Sequence, residues 1–566
     1  MKYRLSISIL ALAWASASPA DTPADLVFVN GAVYTVDAAR SWASALAVSG
    51  DRISYVGEDA VARTLVGPGT RLVDLGGRML LPGFQDVHVH PGMVADPEDT
   101  VKLDGIMRSE DVLEAIRLFA DSHPDAQWIQ GGGWDEGAFL PGGLPNRQML
   151  DAVIPDRPVY LYNNSGHSTW SNSAALKMAG INAATPDPVN GHIQRDAQGE
   201  PTGVLHETAM SLMDAVIPPA THEDNVRNLA AALEVMKRLG ITGLSEAMAT
   251  EDIAAAYKTL DEQGRLQQHS TLCLNHDPEL DDETQIARFL ALREDLASPQ
   301  LQAGCVKLFL DGAYASHTLL LLEPYSDDPE TYGRGKLFIP RERLIKLVTR
   351  LDAEGFQVHM HAQGDGAVRE GLDAIAAARK ANGFRDNRHV IAHLCLIDDT
   401  DLLRFRELGV IASFSPLWSK GDPWEAVFAP ILFGPERAST LFKTRSALDA
   451  GVMIAWGSDW DVTSVSPLEG LETAITHRYP GGKDPEGNSD ATWNPGERVN
   501  LAQAIAAYTS AGAYVMHGDQ SRGSLEAGKL ADLVVLDRNL FDTPELKIHH
   551  TRVMMTVIGG QIVHEQ

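Results

Sequence analysis

The sequence predicts an α/β fold: a (β/α)8 barrel, a small β-sandwich domain built from both termini, and a lobe inserted into the barrel. Three observations predict it. The middle of the chain alternates short apolar runs with helical stretches. Both ends are rich in β-formers and tight turns. One gap between barrel runs is far longer than the others. The expected boundaries are 1–20 for a signal peptide and 21–80 for the N-terminal part of the composite β domain. The barrel follows over 81–515, with the inserted lobe at about 93–221, and 516–566 completes the β domain.

The first element is the leader. Lys2 and Arg4 supply a positive start, Leu5 to Trp14 is mostly apolar, and Ser18-Pro19-Ala20 offers small residues before Asp21. This run is too short to span a bilayer and fits an export signal, which predicts a periplasmic or secreted protein. No other segment reaches about 18 uninterrupted apolar residues, so no membrane anchor is expected. The β domain comes next. Leu26 to Val29 and Ala32 to Thr35 read as strands, and Ala45 to Val56 carries a Ser-Gly-Asp turn between two β-rich runs. At the other end, Leu533 to Leu536 is a buried-strand pattern, and Met554 to Ile558 with Gly559-Gly560 and Gln561 to Val563 is a hairpin signal.

The barrel runs are Val306 to Leu310, Gln357 to His361, His389 to His393, Val410 to Phe414 and Val452 to Trp456, with helices such as Pro340 to Glu354 and Asp399 to Leu408 between them. Such alternation implies a parallel sheet. From His361 to His393 is 32 residues, one βα unit, and from His393 to Asp459 is 66, two units. From His90 to Lys307 is 217 residues, too long for the intervening strands alone. The Gly-, Pro- and Asn-rich stretch within it fits a loop-rich lobe.

Composition narrows the function. The chain has 566 residues, with 47 Lys and Arg against 76 Asp and Glu, a formal charge of -29. Such a surface repels phosphate backbones and argues against nucleic acid as a partner. A small-molecule substrate is the expected partner; a homo-oligomer is compatible with the sequence but not specified by it. Three cysteines, Cys273, Cys305 and Cys395, are too few and too odd in number for a disulfide framework, and Cys305 and Cys395 read as buried small hydrophobes.

The chemistry starts at His88-Val89-His90. Residues i and i+2 of a strand point to one side, so two imidazoles can grip one ion. The pair is a weak signal alone, and His359-Met360-His361 repeats it. Lys307, His361, His393 and Asp459 strengthen it, because each closes or interrupts an apolar strand. Burying such groups is costly unless they are paired or bound to metal. Imidazoles plus a carboxylate suit zinc or a similar divalent ion. The competing reading of Lys307 is an amine paired with Asp311 or another carboxylate. His167, Trp134 and His317 are further candidates for substrate contact, with Trp418 beside them; a structural role explains His167 equally well, and core or rim packing is the stronger reading of Trp134, His317 and Trp418.

The chain resembles the amidohydrolase superfamily, in its YtcJ-like branch, which includes N-substituted formamide deformylases. The resemblance runs from about Leu26 to Val563. It is carried by Leu81-Pro-Gly-Phe-Gln-Asp-Val-His-Val-His90, Gly133-Trp-Asp135 and Leu144-Pro-Asn-Arg147. Ser165 to Asn172, Gly199 to Gly203, Val306 to Gly312, His361 to Asp365, Gly457-Ser-Asp459 and Gly523 to Asp532 continue it in order. It implies a metal-dependent hydrolase barrel. His88, His90, Lys307, His361, His393 and Asp459 are the implied metal ligands, from strands one, four, five, six and eight. The cofactor would be one or two divalent ions, zinc by preference, with Lys307 carboxylated as in many relatives. Metal-activated water would cleave a non-peptide C–N bond, of amide or N-substituted formamide type, with Asp459 as the catalytic proton shuttle. Ester or lactone hydrolysis and deamination are the alternatives on the same scaffold. Deaminating relatives commonly carry a Glu shortly after the fifth-strand histidine, where this chain has Ala-Gln-Gly-Asp365. From another class, the alternative is a non-catalytic exported regulator that binds a metal or ligand.

Overall fold

The computed structural model describes residues 23–94, 100–139, 144–421, 423–484 and 492–566. The expected leader, 1–20, lies outside them. Among the described residues, no helix is long and apolar enough to cross a membrane.

An eight-stranded parallel sheet forms the barrel. Its strands are β1 (Phe84–Val89), β2 (Ile241–Ala249), β3 (His269–Asn275), β4 (Leu301–Phe309), β5 (Gln357–Ala362), β6 (Val390–His393), β7 (Ile411–Phe414) and β8 (Ile454–Trp456). They pair in sequence order from β1 to β8. β8 meets β1 through the residues beyond its end: Asp459 N–H donates to His88 O at 2.8 Å, and His90 N–H donates to Trp460 O at 2.8 Å. Gly457 is required at this seam, because a Cβ there would lie 2.4 Å from His88 Cβ.

The strand pattern explains what faces inward. In β5, Val358 and Met360 join the large apolar core, while His359 and His361 take the opposite face. The helices after the strands bury one stripe each. The helix Asp365–Asn382 buries Ala367, Val368, Leu372, Ile375 and Ala378. The helix Asp399–Leu408 starts at an Asp398 cap and stops at Gly409, which takes the left-handed conformation (φ 64°).

Between β1 and β2 the chain builds a separate six-stranded sheet, from Val101–Lys102 to Pro201–Glu207. It has its own core around Trp134, Trp170, Ile129 and Leu161. Two further sheets join the chain ends. Met79–Pro82 pairs antiparallel with Leu533–Leu536, and Phe28, Leu46, Leu533 and Val557 share one core between the sheets.

The cysteine expectation is corrected. Cys273 on β3 and Cys305 on β4 are direct partners in the ladder and form a disulfide, with Cα atoms 4.2 Å apart. Their separation of 32 residues is one βα unit, which sets the two residues at the same level of adjacent strands. Cys395 is buried, as expected.

Candidate metal centre

The polar residues collect at the C-terminal ends of the barrel strands, where sites on this architecture form. β1 supplies His88 and, one residue past its end, His90. Beyond β8, Asp459 adopts a left-handed backbone (φ 55°), as does His393 at the end of β6 (φ 78°). Such conformations cost about 1–3 kcal/mol each and gather at functional sites. Around Asp459 the strain is held by its own N–H on His88 and by Ser458 N–H donating to Asp86 Oδ1 at 3.1 Å.

Asp459 is the hub. Its Oδ1 lies 3.1 Å from His90 Nε2 and 3.3 Å from His88 Nε2, and its Oδ2 lies 3.8 Å from His393 Nδ1. The donor atoms of His88, His90 and Asp459 all fall within 4.8 Å of one another, and all three side chains are buried. Lys307 Nζ sits 3.2 Å from His88 Nε2. The ring of His361 packs 4.3 Å from that of His393, while its Nε2 bonds the Gly312 carbonyl at 2.9 Å. The structure thus gathers His88, His90, Lys307, His393 and Asp459 tightly, with His361 at the shoulder.

Electrostatics favour a cation here. Burial holds His88, His361 and His393 well below the usual imidazole range, helped by neighbouring positive groups, so their lone pairs are open. Burial would do the same to His90, but hydrogen bonds and charge from Asp459 and Glu246 carry it up to about 9. Burial draws Lys307 down to about 8 against the pull of Asp459 and Glu246. Several buried polar atoms have no hydrogen-bond partner among the described residues: both nitrogens of His393, His90 Nδ1 and Glu246 Oε1. Orphaned buried donors and acceptors are rare, and imidazoles with carboxylates are the set that zinc-like ions take. The residues therefore fit a divalent metal.

Some expectations are corrected. Lys307 is not paired with Asp311, whose carboxylate accepts backbone N–H groups from Gln363, Gly364 and Leu320. Trp134 is fully buried in the lobe core, with its Nε1–H on Leu161 O. His317 is turned to Asp327 at 2.7 Å and stacks on Tyr332, which commits its ring elsewhere. His167 does reach the site: its ring is 5.1 Å from His361, and its Nδ1 is 2.9 Å from Glu207 Oε2. Trp418 stacks on His393.

Two residues, Glu246 and Glu207, escaped sequence reasoning, and a third, His359, was seen only as part of the repeated His-x-His pair. Glu246 on β2 lies 3.6 Å from His90 Nδ1, and its Oε2 accepts from Gly92 N–H. A carboxylate inside Ile241 to Ala249 was the available signal. Glu207 ends the last lobe strand and takes a hydrogen bond from Thr318 Oγ at 2.6 Å, tying the lobe to the loop after β4. His359 Nε2 lies 2.9 Å from His88 Nδ1.

Comparison with known proteins agrees with this geometry. The amidohydrolase family model matches residues 71–564. YtcJ of Bacillus subtilis (strain 168) is 31% identical over 506 residues, covering 88% of this chain and 91% of that protein. The N-substituted formamide deformylase of Arthrobacter pascens is 30% identical over 556 residues, covering 96% and 98%. The crystal structure of an uncharacterized metal-dependent hydrolase from Pyrococcus horikoshii OT3 superposes with a TM-score of 0.71 at 26% identity, over 92% of this chain and 99% of that one. With the barrel, the buried histidine and aspartate cluster and these matches in hand, the chain belongs to the amidohydrolase family of metal-dependent hydrolases.

Proposed function

We propose that this hydrolase cleaves the C–N bond of a small amide, of the N-substituted formamide class, at a zinc centre held by His88, His90 and Asp459. The observation behind this is the buried trio with unpartnered nitrogens beside it. The formamide class is suggested by the end-to-end similarity to the Arthrobacter pascens deformylase. His393 and His361 complete the ligand set. A bound divalent ion would supply an activated water and polarise the substrate carbonyl.

The protein's own groups do the rest. Asp459 takes the proton of the attacking water on a carboxylate oxygen and returns it to the leaving nitrogen. His167 is fixed through Nδ1–H on Glu207, whose charge outweighs burial and raises its pKa, and in the protonated ring Nε2–H is a hydrogen-bond donor for substrate. Lys307, with burial favouring its neutral amine, is suited to add CO2 with loss of a proton. The resulting carbamate would permit a second ion; an unmodified Lys307 goes with one. Export rests on Lys2, Arg4 and the Leu5 to Trp14 run. The test is a screen of matched N-formyl, N-acyl and ester compounds with the zinc-loaded protein. Amine release from N-substituted formamides is expected; turnover confined to esters contradicts the proposal.

A further inference from the structure

A second cluster of metal-binding side chains lies behind the first. Cys273, Cys305 and His359 are all buried, and one donor atom from each falls within 4.8 Å of the others. β3 and β4 place the two sulfurs at one level of the barrel, and β5 brings His359 beside them. In the structure the sulfurs are joined. His359 contacts His88 through Nε2, while its Nδ1 has no hydrogen-bond partner among the described residues. A fully buried imidazole nitrogen without a partner, next to two cysteines, is the pattern of an unfilled ligand set.

We propose that the dithiol form of Cys273 and Cys305, with His359, is a second metal site for a thiophilic divalent ion, and that filling it opposes metal binding through His88. The site opens when a small thiol reduces the disulfide: two R–SH give two protein thiols and one R–S–S–R. Uptake of the ion then releases the two thiol protons.

The opposition follows from one shared proton. His88 Nδ1 and His359 Nε2 face each other across 2.9 Å, a contact that holds a single proton, and a metal-bound imidazole carries one N–H, on its other nitrogen. His88 can offer Nε2 to a metal only while its proton is on Nδ1, donated to His359 Nε2. His359 can offer Nδ1 to the sulfur-side ion only while its own proton is on Nε2, donated to His88 Nδ1. One contact cannot hold both protons, so each site weakens the other, and linkage makes the effect reciprocal. The sulfur site itself does not depend on the catalytic reading; the competition does.

Cadmium added to the reduced, zinc-loaded full chain tests both parts. A thiolate-to-cadmium absorption band is expected. It should vanish in Cys273→Ser and in Cys305→Ser, and persist in Cys395→Ser. Saturating the band should weaken zinc binding about tenfold or more, as expected when a ligand loses its supporting contact. In His90→Ala the band should form regardless of zinc, so failure of the first centre is told apart from failure of the second. A band that survives loss of either cysteine overturns the site. So does its absence in protein whose three thiols titrate as free after denaturation. Unchanged zinc affinity at saturation overturns the competition.

Discussion

His88 uses both ring nitrogens: Nε2 faces Asp459 and Lys307, and Nδ1 faces His359. His359 is thus a positioning residue for the proposed ligand. His359→Phe should lower zinc affinity and kcat/KM by about 10–100-fold, and His359→Gln, whose amide oxygen can accept the same proton, should recover part of the loss. Equal loss in both variants, measured by competition with a chelator, would leave only a packing role. Asp459→Asn keeps the shape but removes the proton carrier, and its kcat should fall by about 10²–10⁴-fold; near-normal turnover would remove Asp459 from that role. At this scale the sequence was informative where a polar residue breaks an apolar strand, as at Lys307, His361, His393 and Asp459. Glu246 breaks its strand in the same way. Trp134 stood in a matching motif, yet it fills the lobe core, and His317 pairs with Asp327. A motif does not state which neighbour a ring will find.

Among the elements, the β8-to-β1 seam is the most constrained. An added methyl at Gly457 meets His88 Cβ and lies 3.0 Å from the His88 backbone, which cannot swing aside. Gly457→Ala should lower stability by about 1–3 kcal/mol and reduce bound metal, read by thermal unfolding and metal analysis. An unchanged melting temperature with full metal content would show that the seam yields. The lobe sheet carries a pH dependence of its own. His206 is buried, with Ser168 Oγ 2.8 Å from its Nδ1, and burial, aided by His192, pulls it down to about 4. Its folded pKa lies below the unfolded value of about 6.5, so the unfolded chain binds the extra proton. The stabilisation is present above pH 6.5 and is lost as the pH falls toward 4, by up to about 3 kcal/mol. His206→Gln should flatten the melting temperature over that window; an unaltered pH profile would assign it to other groups. The alternation of β and α was legible from periodicity. The cross-strand partner of Cys273 was legible only as a spacing of one βα unit.

For the molecule as a whole, the barrel sets out the proposed ligands, the terminal sheets bind the chain ends together, and the lobe meets the loop after β4 and the side of His361. The long gap after His90 foretold extra structure, but not its docking. Glu207 meets Thr318 across 111 residues, and only the folded lobe brings that carboxylate to the loop after β4 and His167 to the side of His361. Strand periodicity does not describe this junction between lobe and barrel. The proposed role of the buried His88, His90 and Asp459 cluster is to hold the divalent metal that hydrolysis requires. The most direct test is metal content and amide turnover measured together, in the wild type and in His90→Ala, before and after chelation. Bound zinc is expected in the wild type, with joint loss of metal and turnover on chelation or in His90→Ala, and recovery when zinc is returned to the chelated wild type. A metal-free wild type that still turns over, or a His90→Ala protein that keeps both metal and turnover, would contradict it.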